Sequence, residues 1–264
     1  MPESILDRIM VTKQAELEAF KMPERKTFFT HHSLSKALKT PNHQVGLIAE
    51  VKKASPSKGT FMFKRTPGEA ASLYQEAGAD AISVLTDMTY FHGSLSDLAG
   101  IRKTVTLPIL RKDFIIDERQ IEAADRVGAD AILLIAAALD PERLYELYQA
   151  AEVRGMEALV EVHSVREADR ILDLFLPRVM GANNRDLRTF ATDLSVTAEI
   201  RRVVPKEVVF VGESGIHTSS DVAFAKDHGA DALLVGEALV CADSIPDRVR
   251  TLFGAKVSRH ASEA

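Results

Sequence analysis

Glu50 and Lys52 close a short apolar run in the stretch Leu47-Ile-Ala-Glu-Val-Lys-Lys-Ala-Ser-Pro-Ser-Lys-Gly59. On an extended strand residues i and i+2 share a face, so this carboxylate and this ammonium point the same way at the end of a buried segment. Apolar side chains would serve packing at least as well as an ion pair there, which marks the position as one for chemistry. Acid, base and amide groups recur behind other short apolar runs: Lys112, Glu161, Asn183 with Arg185, and Glu213-Ser214-Gly215. Cations and carboxylates that converge shift one another's pKa values, as acid and base catalysis near neutral pH requires.

A second group suits a phosphate. Gly212-Glu-Ser-Gly215 and Gly236-Glu-Ala238 supply main-chain amides at two turns, the second opening a short helix. The Glu237 carboxylate would repel an anion unless it points outward, so the donors at that turn should be main-chain. Ser55, with Lys53 or Lys58 nearby, would complete the site.

The elements that must position these groups follow a repeated unit. Gly78-Ala-Asp-Ala81, Gly128-Ala-Asp-Ala131 and Gly229-Ala-Asp-Ala232 each stand between an amphipathic stretch and a short β-rich run. Glycine suits a helix stop, and the run behind it suits a strand buried on both faces, so each is a helix-to-strand junction. The same grammar predicts strands near 47–52, 81–85, 108–112, 131–135, 157–161, 179–183, 208–212 and 232–235. Helices are expected near 67–77, 95–104, 118–127, 141–154, 164–174, 194–203, 217–228 and 242–253. Eight alternating units in this length fit a closed, eight-stranded parallel (β/α)8 TIM barrel better than an open doubly wound sheet. The chemistry-bearing residues then fall at the C-terminal strand ends, where barrels of this kind carry their sites. No Gly-x-Gly-x-x-Gly follows the first strand, which speaks against a dinucleotide fold.

A single domain is expected: a helical extension over 1–45, the barrel over 46–255 and a frayed tail over 256–264. Ser4 to Phe20 reads as an amphipathic helix and Ser33 to Leu38 as a second, either closing the barrel bottom or covering the substrate. The 264 residues are 46% hydrophobic and 27% charged, ordinary globular material. A net charge of −5 argues against a nucleic-acid or anionic-membrane surface. The one cysteine, Cys241, fits a reducing compartment, and with no signal-like or membrane-length apolar run a cytoplasmic location is expected. His92 and His163 lie near the active rim, without metal-ligand spacing, and read as supporting residues.

With these residues in hand, the chain resembles the indole-3-glycerol phosphate synthase family. The likeness rests on the block from Leu47 to Gly59 and on Ser83-Val-Leu-Thr-Asp87 with Phe91-x-Gly-Ser94. It continues through Pro108-Ile-Leu-Arg-Lys-Asp-Phe114, Leu159-Val-Glu-Val-His163, Gly181-Ala-Asn-Asn-Arg-Asp-Leu187, Val211-Gly-Glu-Ser-Gly-Ile216 and Val235-Gly-Glu237. The first block and the Lys-Asp-Phe block are specific, whereas the glycine turns recur in other phosphate-binding barrels. Ala54 departs from the basic or polar residue of many relatives.

The resemblance implies a decarboxylating carbon-carbon lyase of tryptophan biosynthesis. It closes the ring of 1-(2-carboxyphenylamino)-1-deoxyribulose 5-phosphate to give indole-3-glycerol phosphate, releasing carbon dioxide and water. It further implies catalytic roles for Lys112, Glu161, Glu50, Lys52 and Asn183, and substrate contacts from Arg185, Glu213 and Ser214. Phe91, Phe114 and Leu133 would wall the aromatic ring, and Ser55, Lys53, Gly215, Gly236 and Glu237 would surround the phosphate. No metal or organic cofactor is needed, because the substrate's ketone accepts the ring electrons. Monomeric behaviour is expected, with contact to other enzymes of the pathway left open. A phosphosugar isomerase of the phosphoribosylanthranilate type and a noncatalytic phosphate-binding barrel are the alternatives; the first should carry a strand-1 Cys or Asp pattern, the second should lack the acids and bases.

Overall fold

A computed structural model describes residues 4–25, 27–56, 58–61 and 65–257. Eight strands form one closed parallel barrel: β1 (Gly46–Val51), β2 (Ala81–Leu85), β3 (Ile109–Lys112), β4 (Ala131–Ile135), β5 (Glu157–Val162), β6 (Val179–Asn183), β7 (Val209–Glu213) and β8 (Ala232–Val235). Neighbours in sequence pair in space, and β8 closes on β1 with Gly46 opposite Ala232 and Ala49 opposite Val235. The predicted strands lie within two residues of these bounds. The register sets Leu85 beside Lys112, Ile135 beside Glu161 and Asn183 beside Glu213, so the sequence-predicted groups share one end of the barrel.

The outer helices are α3 (Pro67–Ala77), α4 (Leu95–Arg102), α5 (Glu118–Val127), α6 (Pro141–Val153), α7 (Val165–Leu172), α8 (Ser195–Arg201), α9 (Ser219–Asp227), the one-turn α10 (Glu237–Val240) and α11 (Ile245–Phe253), preceded by α1 (Ile5–Glu18) and α2 (Leu34–Lys39). The last predicted helix begins later than expected because Ser244 caps it and Pro246 occupies its first turn.

The Gly-Ala-Asp repeat has a physical basis at both ends. Gly78, Gly128 and Gly229 adopt left-handed φ of 99°, 91° and 88° as the helices end. The aspartates then accept from strand amides one unit back: Leu47 N to Asp80 Oδ2, Ile109 N to Asp130 Oδ2 and Phe210 N to Asp231 Oδ2, all at 2.7 to 2.8 Å. Each repeat thus ends a helix and fixes the start of a neighbouring strand.

Two apolar layers result. One lies between the strands and the helices; the other fills the barrel, where Ile48, Leu110, Leu133, Leu159, Val211 and Leu234 face inward. The two helices of the extension divide the tasks that the sequence left as alternatives. Leu34 and Leu38 of α2 join the inner layer and plug the bottom, with Ser33 Oγ and Ser35 N donating to Glu157. Helix α1 lies at the other end, where Lys13 reaches the loops after β2 and β3. Lys256 and Val257, expected to fray, are held: Lys256 Nζ donates to Glu76 O and Val257 N to Asn42 O. The rest of the expected tail lies outside the described residues.

Candidate active site

Inward-facing side chains at the last turn of each strand converge in a cleft at the C-terminal mouth. Strand alternation aims Glu50 and Lys52 into it from β1, Lys112 from β3, Glu161 from β5, Asn183 from β6 and Glu213 from β7; all six line one cavity. Lys52 Nζ lies 2.7 Å from Glu50 Oε1. Lys112 Nζ donates to Glu161 Oε2 at 3.1 Å and lies 3.4 Å from Glu213 Oε2. Asn183 Nδ2 donates to the other Glu161 oxygen at 3.1 Å, and Asn183 Oδ1 accepts from Arg185 N, which turns the loop back over the mouth.

Glycine makes the room for these acids. A Cβ on Gly181 would meet Glu213 Oε1 at 2.2 Å, and one on Gly236 would meet Glu50 Oε1 at 2.2 Å. Each carboxylate therefore folds into a notch left by a residue without a side chain.

Burial opposes every charge here, and the neighbours decide the outcome. Lys112 is desolvated, yet Glu161, Glu213 and Glu50 outweigh that and raise its pKa. Glu161 is equally buried, but Lys112 and then His163 hold it below the usual carboxylate range. For Glu213 the same ammonium is not enough: burial and then the negative Glu161 outweigh Lys112 and push it up to about 8. The result is an ammonium donor, an ionised carboxylate and a neutral carboxylic acid side by side.

The cavity also has an apolar wall and a polar end. Phe91, Phe114 and Leu133 line it as the sequence suggested, with the Phe91 and Phe114 rings 6.3 Å apart. Ser55, Ser214, Gly215, Gly236 and Glu237 gather on the opposite side with Arg185. Ser214 and Gly215 both take left-handed φ, 64° and 82°, bending the loop after β7 over the cleft. Glu237 faces two cations, Lys58 at 3.4 Å and Arg185 at 4.0 Å, so it is turned in part toward the site. Lys53 is the residue the structure does not bring in. Its Nζ donates to both Asp97 oxygens at 2.7 and 2.8 Å, because Lys53 follows Lys52 and faces outward, toward α4.

Several lining residues were not anticipated: Ile5, Leu6 and Ile9 from α1, and Leu187 and Phe190 from the loop after β6. The amphipathic pattern of α1 marks an apolar face but not its target. Lys13 was missed as well, although a lysine on the apolar side of a helix is a usable signal. Among the described residues, no group of three or more His, Cys, Asp or Glu side chains is arranged to hold a metal ion.

The closed parallel barrel and the acid/base cluster at its mouth define a (β/α)8-barrel enzyme that works by proton transfer. The model of the family described as indole-3-glycerol phosphate synthase matches residues 6–252. The indole-3-glycerol phosphate synthase of Geobacillus sp. (strain WCH70) is 51% identical over 249 residues, 94% of this chain and 96% of that protein. The one from Bacillus velezensis is 48% identical over 250 residues, 95% of this chain and all of that protein. Among solved structures, thiamine phosphate pyrophosphorylase from Pyrococcus furiosus superposes with a TM-score of 0.60 at 16% identity, over 80% of this chain and 95% of that one; this shows the barrel alone. The chain belongs to the indole-3-glycerol phosphate synthase family, and its activity is the decarboxylating ring closure of tryptophan biosynthesis rather than phosphosugar isomerisation.

Proposed function

We propose that Lys112 is the general acid and Glu161 the general base of the ring closure. The observation that carries this is their direct contact: Lys112 Nζ lies 3.1 Å from Glu161 Oε2, so a proton taken by one can return to the other. The ring carbon that bears the carboxylate attacks the ketone, and Lys112 protonates the oxygen as it gathers charge. Lys52 and Arg185 hold the departing carboxylate, which leaves as carbon dioxide. A second protonation releases the hydroxyl as water while Glu161 removes a proton from the five-membered ring. Asn183 orients Glu161, Glu50 orients Lys52, and the neutral Glu213 holds Lys112.

Phe91, Phe114 and Leu133, with Ile5, Leu6 and Ile9 of α1, receive the aromatic ring, while Ser55, Ser214, Gly215 and the amides at Gly236 and Glu237 receive the phosphate. Lys58 takes the part expected of Lys53. Glu237 then exchanges its hold on Lys58 and Arg185 for theirs on the substrate's anionic groups. We place the protein in the cytoplasm, in keeping with its pathway; no helix among the described residues is long and apolar enough to cross a membrane.

Fluorescence-detected formation of indole-3-glycerol phosphate tests the roles. Lys112→Ala and Glu161→Gln should each lower kcat by about 10²- to 10⁴-fold while the variants still bind substrate. A Lys112→Ala enzyme within tenfold of the parent would overturn the assignment.

A further inference from the structure

The reaction takes up a proton in every cycle. Two are given to oxygen, one to the ketone and one to the leaving hydroxyl; one comes back from carbon; and the substrate's carboxylate departs as neutral carbon dioxide. One proton must therefore enter from solvent per turnover. The front of the site is a poor route, because substrate fills the cleft and the α1 residues Ile5, Leu6 and Ile9 line it. Lys112, Glu161 and Glu213 expose only 14%, 3% and 2% of their side chains.

We propose that His163 and Glu167 form the proton inlet, carrying a solvent proton along Glu167, the imidazole and Glu161 to Lys112. The proposal rests on the acid and base roles given above. His163 follows β5 directly and its ring stands outside the cavity lining, behind Glu161. Nε2 lies 3.3 Å from Glu161 Oε1, and Nδ1 lies 3.4 Å from Glu167 Oε2. Neither ring nitrogen is in an aligned hydrogen bond, though both are buried. A ring held only to support Glu161 would be expected to make one; a ring that hands protons from one side to the other must turn over between its two partners, which tight hydrogen bonds would oppose. Glu167 stands in the first turn of α7, with 24% of its side chain exposed, and is fixed by accepting from His163 N at 2.8 Å.

The charges that face the imidazole suit the task. Glu161 on its own strand, Glu167 from α7 and Glu213 from β7 are acids; the cation nearby is Lys112 on β3, beyond Glu161. Burial works against the imidazolium, but Glu167 and then Glu161 prevail and raise the His163 pKa, so the ring loads readily from solvent. The transfer balances without electrons: an acid in solution protonates Glu167, Glu167 protonates Nδ1, Nε2 gives its proton to Glu161, and Glu161 passes one to the Lys112 amine; the imidazole, left with its proton on Nδ1, turns over to present the bare nitrogen to Glu167 for the next cycle. The resting enzyme already stores protons on Lys112 and Glu213, so a first turnover does not need the inlet while later ones do.

Rapid-mixing and steady-state assays of His163→Gln, in dilute buffer and with added imidazole, test this. The expected result is a steady-state kcat down roughly tenfold or more, a first turnover affected less, and recovery of later turnovers as imidazole rises. The alkaline limb of the kcat profile should also move to lower pH. Glu167→Gln should show the same pattern with a smaller loss. Steady-state rates equal to the parent, or equal losses in first and later turnovers with no response to imidazole, would overturn the inlet. Failure of the Lys112 and Glu161 assignment looks different, since it shows as an active Lys112→Ala enzyme.

Discussion

Two buried charge clusters meet at the end of β3, on consecutive residues, and they are built in opposite ways. Asp113 belongs to the first. Its Oδ1 faces Lys13 at 3.0 Å and accepts from Phe114 N, and its Oδ2 accepts from Thr86 and Arg111. Lys13 also reaches Asp87 at 2.7 Å and Glu16 at 2.8 Å, so two cations stand against two buried aspartates and one partly exposed glutamate. Burial opposes the Asp113 charge, but Arg111 and Lys13 hold it far below the usual carboxylate range. Lys112 belongs to the second cluster, where it faces both Glu161 and Glu213 and where Glu213 Oε1 has no hydrogen-bond partner. A network whose buried carboxylates each face a cation or accept from neighbouring groups rigidifies what it touches; one in which two carboxylates crowd a single ammonium stores the proton affinities that catalysis uses. The first fixes α1 and the loops bearing Phe91 and Phe114; the second is left free to exchange protons.

Removing Lys13 breaks the balanced cluster most directly. Lys13→Met keeps the apolar stem but leaves Asp87 and Asp113 buried against a single guanidinium. Loss of one partner from such a network costs about 3–5 kcal/mol, and urea unfolding should show it. Because α1 carries Ile5, Leu6 and Ile9 into the cleft, KM should rise more than kcat falls. A cost below about 1 kcal/mol would mean that the cluster is not what secures the helix.

The contrast also separates what sequence reasoning could reach. Lys112, Glu161, Asn183 and Glu213 were legible because strand alternation and a common strand end are one-dimensional patterns. Gly-Ala-Asp was legible as a junction for the same reason. Lys13 lies far in sequence from Asp87 and Asp113, and nothing in its own helix names those partners. The outward turn of Lys53 to Asp97 depends on where α4 packs, which no local pattern encodes. His163 shared a motif with Glu161, yet its place between two carboxylates needs α7 in position. Helix and strand positions were readable, then, whereas contacts between units were not.

Gly181 offers a way to disturb the acid-rich cluster without touching a charge. Its left-out side chain gives Glu213 room, since a Cβ would come within 2.2 Å of Oε1 and 3.2 Å of Leu159 Cδ1. Gly181→Ala should push the carboxyl toward Lys112 and shift the donor by a fraction of an ångström to an ångström. A displacement of that size costs on the order of 10²-fold in kcat. Substrate binding should change little, because the phosphate and ring contacts lie elsewhere. An unchanged kcat would show that Glu213 does not position Lys112.

The smallest expected effect is the most diagnostic of how the clusters differ, because it is one of sign. Folding raises the Glu213 pKa from its ordinary 4.5 to about 8, so between those values the native state holds a proton that the unfolded chain has released. Stability from this group therefore falls as pH climbs through that window. Glu213→Gln removes the slope: relative to the parent it should gain on the order of 1 kcal/mol or more between pH 5 and 8, with no further gain above. Asp113 runs the other way. Its pKa is lowered on folding, so its contribution is complete above the ordinary 3.8 and is lost only as pH falls below it. Denaturant titrations of the Glu213→Gln variant and the parent at several pH values measure the difference. Parallel curves across the window would mean that Glu213 is ionised beside Glu161, and the two clusters would then be alike in kind.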